Sequence, residues 1–146
     1  MLGPFPTADV LQRLKGVPAL RLVGGAADLA TARTQKPNAH PAAFVVTSET
    51  AQPPAGATSG QLIQRAEVAI SVVLFVNNVA HQASGAGARA QMDALIADVR
   101  GALLNWTPDA AFEPISLRAS RDEAYEAGWL VVQEIYRTTY RLTATR

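Results

Sequence analysis

The residues best placed by type and spacing to do chemistry are the glycines of SGAGARA, where Gly85-x-Gly87-x-x-Ala90 follows an apolar stretch and leads into a helical pattern. In a dinucleotide-binding turn such glycines let the backbone approach a pyrophosphate, whose charge then meets a helix N-terminus. The surroundings argue against that use. Six residues, Val79-Ala80-His81 among them, separate the strand pattern from Gly85, whereas the fingerprint turn follows its strand directly. The next acidic residue at a suitable distance, Asp109, lies in a loop pattern rather than at the end of a second parallel strand. The glycines therefore read as a flexible lead into a helix.

The other reactive side chains are scattered. His40 and His81 are the only histidines, and neither has a second histidine or a carboxylate at ligand spacing, so both read as solvated loop residues. Asp122, Glu123 and Glu126 read as a solvated turn. Glu134 alone interrupts an apolar strand face, where a carboxylate needs a partner. Arg118 or Arg121 on the preceding strand is the expected one. No serine lies beside a histidine, so an acyl-transfer triad has no support. No catalytic, cofactor-binding or metal-binding residue is assigned, and no enzyme activity is expected.

Composition narrows the classes further. A chain of 146 residues, 49% hydrophobic and 17% charged, is expected to form one domain, 1–146, with a real core. A net charge of +1 leaves no footprint for sequence-specific nucleic-acid binding or an anionic membrane. The absence of cysteine excludes disulfides and thiolate metal sites. Residues 1–16 carry Asp9 and lack a long apolar centre, so no secretory leader is expected. The most apolar run, 68–76, is too short to span a bilayer as a helix, and a soluble protein is expected.

The elements that would position these residues follow from periodicity. Met92, Leu95, Ile96, Val99, Leu103 and Trp106 share one face of a helix predicted over 89–106, about 27 Å long, which Thr107-Pro108 terminates. Thr7 is the expected N-cap of a short helix closed by Gly16-Val17-Pro18. Residues 19–25 form a short strand pattern, 26–34 a helical turn or two, and 35–41 a connection. Strands are predicted over 42–50 and 63–78, paired antiparallel about a polar loop spanning 47–60. Val68, Ile70, Val72, Leu74 and Val76 mark the core face of the second.

A strand from Ile115, a turn over 122–127 and a last strand over 129–143 complete the chain. In the last strand Leu130, Val132, Tyr136, Tyr140 and Leu142 alternate with Trp129, Val131, Gln133, Ile135, Arg137, Thr139 and Arg141. Apolar residues on both faces imply a central strand, or one covered on its second side by another subunit. The fold class is α+β, an antiparallel sheet of about four to five strands with a long helix on one face. Aromatic and arginine residues are enriched at interface hot spots, which makes Trp129, Arg137 and Arg141 interface candidates.

Several segments, in order, carry a family resemblance: PAAFVVTSE, a small-residue loop, AEVAISVVLFVNN, LIADVRGALLNWTPD and GWLVVQEIYRTTY, spanning 41–140. The chain resembles tail terminator proteins of long-tailed bacteriophages, the lambda-like ring-forming class. The resemblance implies a structural virion protein of the tail and neck, assembled in the host cytoplasm. It forms a ring, hexameric in such proteins, that caps the tail tube, stops elongation and offers a docking surface to the head–neck connector. The implied partners are further copies of the chain, the tail tube protein, a connector or stopper protein and the tape measure protein, with DNA passing through the lumen. No cofactor is implied. The 47–60 loop would order only against a neighbour or the tube, which adds Glu49, Gln52, Thr58 and Gln61 as interface candidates. The alternatives are another neck component, such as a head–tail joining or tail-completion protein, and a small-ligand-binding α+β domain.

Overall fold

The computed structural model describes residues 1–54 and 60–146. The chain runs α1 (Thr7–Lys15), β1 (Leu22–Gly24), α2 (Ala26–Thr34), β2 (Ala42–Ala51), β3 (Gln61–Asn77), α3 (Ala86–Leu103), β4 (Ser116–Glu126) and β5 (Trp129–Thr145). One five-stranded sheet has the order β1-β2-β3-β5-β4. All neighbours are antiparallel except β1, which pairs parallel with β2 through Leu22, Val23 and Gly24. The expected α+β class and the long helix against an antiparallel sheet are what the chain adopts.

The sheet is built on the β3–β5 pair, in register from Gln61↔Thr145 to Asn77↔Trp129. Alternation along both strands sends Val68, Ile70, Val72, Leu74 and Val76, with Leu130, Val132, Tyr136 and Tyr140, to one face. There α3 lays down Ala88, Met92, Leu95, Ile96, Val99 and Leu103, and α1 adds Val10 and Leu14. The opposite face is smaller and partial. Leu29 and Ala32 of α2 cover Phe44, Val73, Phe75 and Val131, and beyond them the β3 and β5 residues of this face are half-buried or exposed, apart from buried Thr139.

Several expected boundaries move for local reasons. The long helix starts at Ala86 rather than 89, because Gly85 takes a left-handed φ of 73° at the N-cap. It ends at Leu103 rather than 106. Leu104 is extended and Asn105 has φ 61°, so the chain turns before Thr107-Pro108 is reached. Trp106 leaves the helix and receives the Arg13 guanidinium over its ring at 5.2 Å.

Thr7 is the first helical residue rather than the cap. Pro6 occupies the N-cap, and the Thr7 hydroxyl pairs with Thr47 Oγ1 at 2.8 Å. The stretch read as a turn over 122–127 is the end of β4, and only Ala127 and Gly128 reverse the chain, at φ 50° and 86°. Likewise β2 continues to Ala51 and β3 begins at Gln61, so the loop read as 47–60 is a connection over 52–60.

Leu95 is 2% exposed among α3, α1 and sheet side chains. Leu95→Ala leaves a cavity there and is expected to lower the unfolding free energy by ~2–5 kcal/mol. A urea titration followed by tryptophan fluorescence measures it, and an unchanged midpoint contradicts this packing.

Candidate assembly surface

Chemistry is absent where the glycines first invited it. A Cβ on Gly87 would run into the Ala80 carbonyl oxygen and come within 2.7 Å of Asn78 Oδ1, so this glycine serves tight packing rather than flexibility. The amides that a pyrophosphate would need are already engaged: Gly87 N–H donates to Ala80 O at 3.1 Å and Ala86 N–H to Ser84 Oγ at 3.3 Å. α3 crosses from β3 to β4, which run parallel but with antiparallel β5 between them, so the adjacent parallel strands of a dinucleotide-binding unit are missing here. Among the described residues no group of three His, Asp or Glu side chains is placed to hold a metal ion.

The one buried charge is structural. Glu134 is fully buried on the core face of β5, and its partner is Arg100 of α3, not Arg118 or Arg121. Arg100 Nε donates to Oε1 at 2.7 Å and Nη2 to Oε2 at 3.0 Å, a two-pronged bond that raises the arginine pKa further. The Tyr136 hydroxyl donates to Glu134 Oε1 at 3.2 Å. Burial, followed by the adjacent Glu134 charge, pushes the Tyr136 phenol well above its ordinary value. Sequence alone pointed to β4 because it precedes β5, yet the β4 arginines point to the opposite side of the sheet.

That opposite side holds an uncovered charged surface. Register places Arg65 of β3 directly opposite Arg141 of β5, and Ala69 opposite Arg137. Arg118, next to core-facing Leu117, falls on the same face by alternation, and the irregularity between Leu117 and Ala119 brings Arg121 there too, opposite Gln133. Glu67 lies among them, 3.5 Å from Arg137 and 3.9 Å from Arg118. Arg65 Nη2 reaches Thr139 Oγ1 at 3.4 Å. Where this charged half meets α2, a cleft of about 400 Å³ opens between Leu29 and Ala30 on one wall and Val46, Ser71, Val73 and Gln133 on the other.

The interface candidates separate into two groups. Arg137 and Arg141 lie on the open face, Arg141 exposed and Arg137 shared with Glu67. Trp129 is on the same side but under cover, edge-on to His40 at 5.4 Å and Phe75 at 6.5 Å, so His40 is a packed residue rather than a solvated one. Glu49 faces the core side of β2, where it accepts Phe5 N–H at 3.0 Å and the Tyr140 hydroxyl. Gln52 N–H donates to Arg65 O at 2.9 Å, and Gln61 is exposed at the start of β3. Thr58 lies outside the described residues.

Arg65 and Glu67 are not among the sequence candidates, although extending the alternation of β3 downward from Ala69 places both on this face. Arg118, one of the two partners expected for Glu134, instead lies near Glu67 on the opposite side.

Two expectations follow. Arg100→Met strands a buried carboxylate and should cost toward the low end of ~3–5 kcal/mol, because 36% of the Arg100 side chain still meets solvent. The double variant Arg100→Met/Glu134→Leu should recover most of it in the same urea titration. A single variant as stable as wild type contradicts the pair.

The second concerns alkali. Burial, then the bond to Glu49, pushes the Tyr140 pKa up to about 12, and Tyr136 is raised as well. The unfolded chain loses these protons above about pH 10 while the folded chain keeps them. Stability is therefore flat below pH 10 and falls above it, by ~1.4 kcal/mol per pH unit for each retained proton. Tyr140→Phe should remove one such contribution between pH 10 and 12, and an unchanged slope contradicts it.

No curated protein matches the chain significantly. Among the described residues no helix is long and apolar enough to cross a membrane. A family model described as phage tail terminator protein matches residues 1–146, and the chain belongs to that family, whose members are structural components of the phage tail rather than enzymes.

Proposed function

We propose that this chain is the repeating subunit of a ring, hexameric as in the resembling class, that caps the end of the tail tube. The cap ends tube elongation and then presents a docking surface to the head–neck connector or stopper. Its partners are further copies of itself, the tail tube protein and that connector, with the tape measure protein reached through the tube. It resides in the tail and neck of the virion, and DNA passes through its lumen. The whole of 1–146 acts as one domain in this reading.

The observation that carries this is the half-covered sheet. α2 seals Phe44, Val73, Phe75 and Val131, and the same face then continues into an uncovered field bearing Arg65, Arg137 and Arg141. A closed ring requires each subunit to offer two different surfaces to its two neighbours, and a central strand with one finished and one unfinished face supplies the first of them. Arg137 and Arg141 are assigned to the subunit contact. Gln52 and Gln61 stand at the two ends of the 52–60 connection, and with Thr58 they are assigned to the contact with a neighbour or the tube. Trp129 and Glu49 already have partners inside the subunit, so they shape these surfaces from beneath.

Arg141→Glu tests the assignment. It converts a cross-strand pair of like charges, Arg65 and Arg141, into an opposite pair, so the monomer should melt at the wild-type temperature or gain ~0.2–1 kcal/mol. Capping of purified tail tubes, scored by negative-stain microscopy, should nevertheless fall. Loss of caps with an intact monomer supports the reading. Tubes left uncapped by the wild-type protein contradict it.

A further inference from the structure

Charge is unevenly divided over this molecule. The open sheet face gathers five arginines, Arg65, Arg118, Arg121, Arg137 and Arg141, with Glu67 among them, while Glu123 and Glu126 lie toward the α2 end, Glu123 bound to Arg33. The whole chain has a net charge of only +1, so the rest of the molecule is net negative. Part of that negative charge lies on the other side of the same two-layer structure. The solvent face of α3 exposes Asp93 and Asp98 among Ala90, Ala94, Ala97 and Gly101, with no side chain longer than aspartate between them. Asp122 of β4 adds a third carboxylate beside that helix, and Arg89 is the one cation there, shared between Asp93 and Asp122 at 2.9 and 2.8 Å.

The arginine face is also internally unfinished. Arg65 and Arg141 are directly opposite residues of β3 and β5, an arrangement of like charges that costs stability in a sheet. Glu67 is occupied by Arg118 and Arg137, and among the described residues neither Arg65 nor Arg141 has a carboxylate partner. An anionic surface laid over this pair would remove the repulsion and add charge-assisted hydrogen bonds to a planar donor suited to carboxylates.

We infer that the occupant of the arginine face is a second copy of this chain, docked through the Asp93 and Asp98 face of its α3. This inference rests on the ring reading and specifies which surfaces meet in it. The two faces lie on opposite sides of one sheet-and-helix sandwich. A contact between them is therefore heterologous, leaves one of each face free after every addition, and propagates until the rotation closes. The helix face is also flat enough for a sheet to lie close, since its residues between the aspartates end at Cβ. Duplex DNA fits this surface less well, because its phosphates would meet Glu67 at the centre of the arginines.

The test uses the full chain and two charge-reversed variants, Arg65→Glu/Arg141→Glu on the sheet face and Asp93→Lys/Asp98→Lys on the helix face. Self-association is followed by sedimentation velocity and native mass spectrometry, at low and high ionic strength and with and without tail tubes. The wild-type assembly should weaken as salt rises, and each variant alone should associate about tenfold or more weakly than wild type. The two variants mixed should recover association, because the intact pair of faces and the charge-swapped pair, introduced carboxylates against introduced ammonium groups, are both complementary. Thermal melting of each variant verifies folding. Should a reversed variant unfold, Arg65→Gln/Arg141→Gln and Asp93→Asn/Asp98→Asn replace the pair and should weaken association in the same direction.

Wild-type assembly and capping that both variants retain would overturn this pairing and leave the capping role standing. A wild-type chain that stays monomeric even with tubes would remove both. Mixed variants that associate no more tightly than either variant alone would overturn the pairing of these two faces. Binding of duplex DNA that the arginine variant abolishes, with self-association unchanged, would give the surface to nucleic acid instead.

Discussion

Everything in this fold depends on β5 having two faces that need cover. As the fourth strand in the order β1-β2-β3-β5-β4, it is hydrogen-bonded on both edges, and its seventeen residues run the length of the sheet beside β3. Its core face is closed by α3 and α1. Its other face is closed by α2 only around Val131 and Trp129, and from Ile135 onward it is half-covered, with Thr139 buried and hydrogen-bonded by Arg65, Ile135 and Arg137 half-buried and Arg141 exposed. A strand built in this way satisfies the hydrophobic requirement of a monomer on one side and leaves an assembly requirement on the other.

The Glu134 carboxylate shows how firmly the finished side is specified. It lies among apolar neighbours at a point where only a guanidinium from α3 can reach it, and Arg100 meets it with two bonds. Such a pair adds little net stability compared with hydrophobic residues, but it penalises any sliding of the helix along the sheet, since a shifted helix would leave the carboxylate unpaired. The outer face of α3 is thereby held in a defined orientation to the arginine face behind the sheet. In the proposed ring, where copies of the chain must fit one another and a tube, fixed geometry between two outward surfaces is what assembly requires.

Much of this was legible in the sequence wherever one physical signal dominated. Alternation over 68–76 and 130–142 marked the core faces of β3 and β5, and the spacing of Met92, Leu95, Ile96, Val99 and Leu103 marked the inner face of α3. The helix ends were not legible, because they were decided by left-handed residues at Gly85 and Asn105 rather than by the proline at 108. The partner of Glu134 was not legible because it comes from an element thirty-four residues away in the chain, and strand order misled toward β4. Arg137 and Arg141 were visible as arginines on a half-apolar strand. Their neighbours Arg65, Glu67 and Arg118 became a surface only through the pairing of β3 and β4 on either side of β5.

The central claim is that the uncovered arginine-bearing half of the sheet is where one subunit meets the next at the end of the tail tube. An electron cryomicroscopy reconstruction of capped tubes tests it directly, because the strands of β3 and β5 and the α3 helix can be placed in the ring density. The account predicts a closed ring in which Arg65, Arg137 and Arg141 are buried against the α3 face of the neighbouring subunit. A ring in which that face lines the lumen or meets open solvent, with subunits joined through other surfaces, would contradict it.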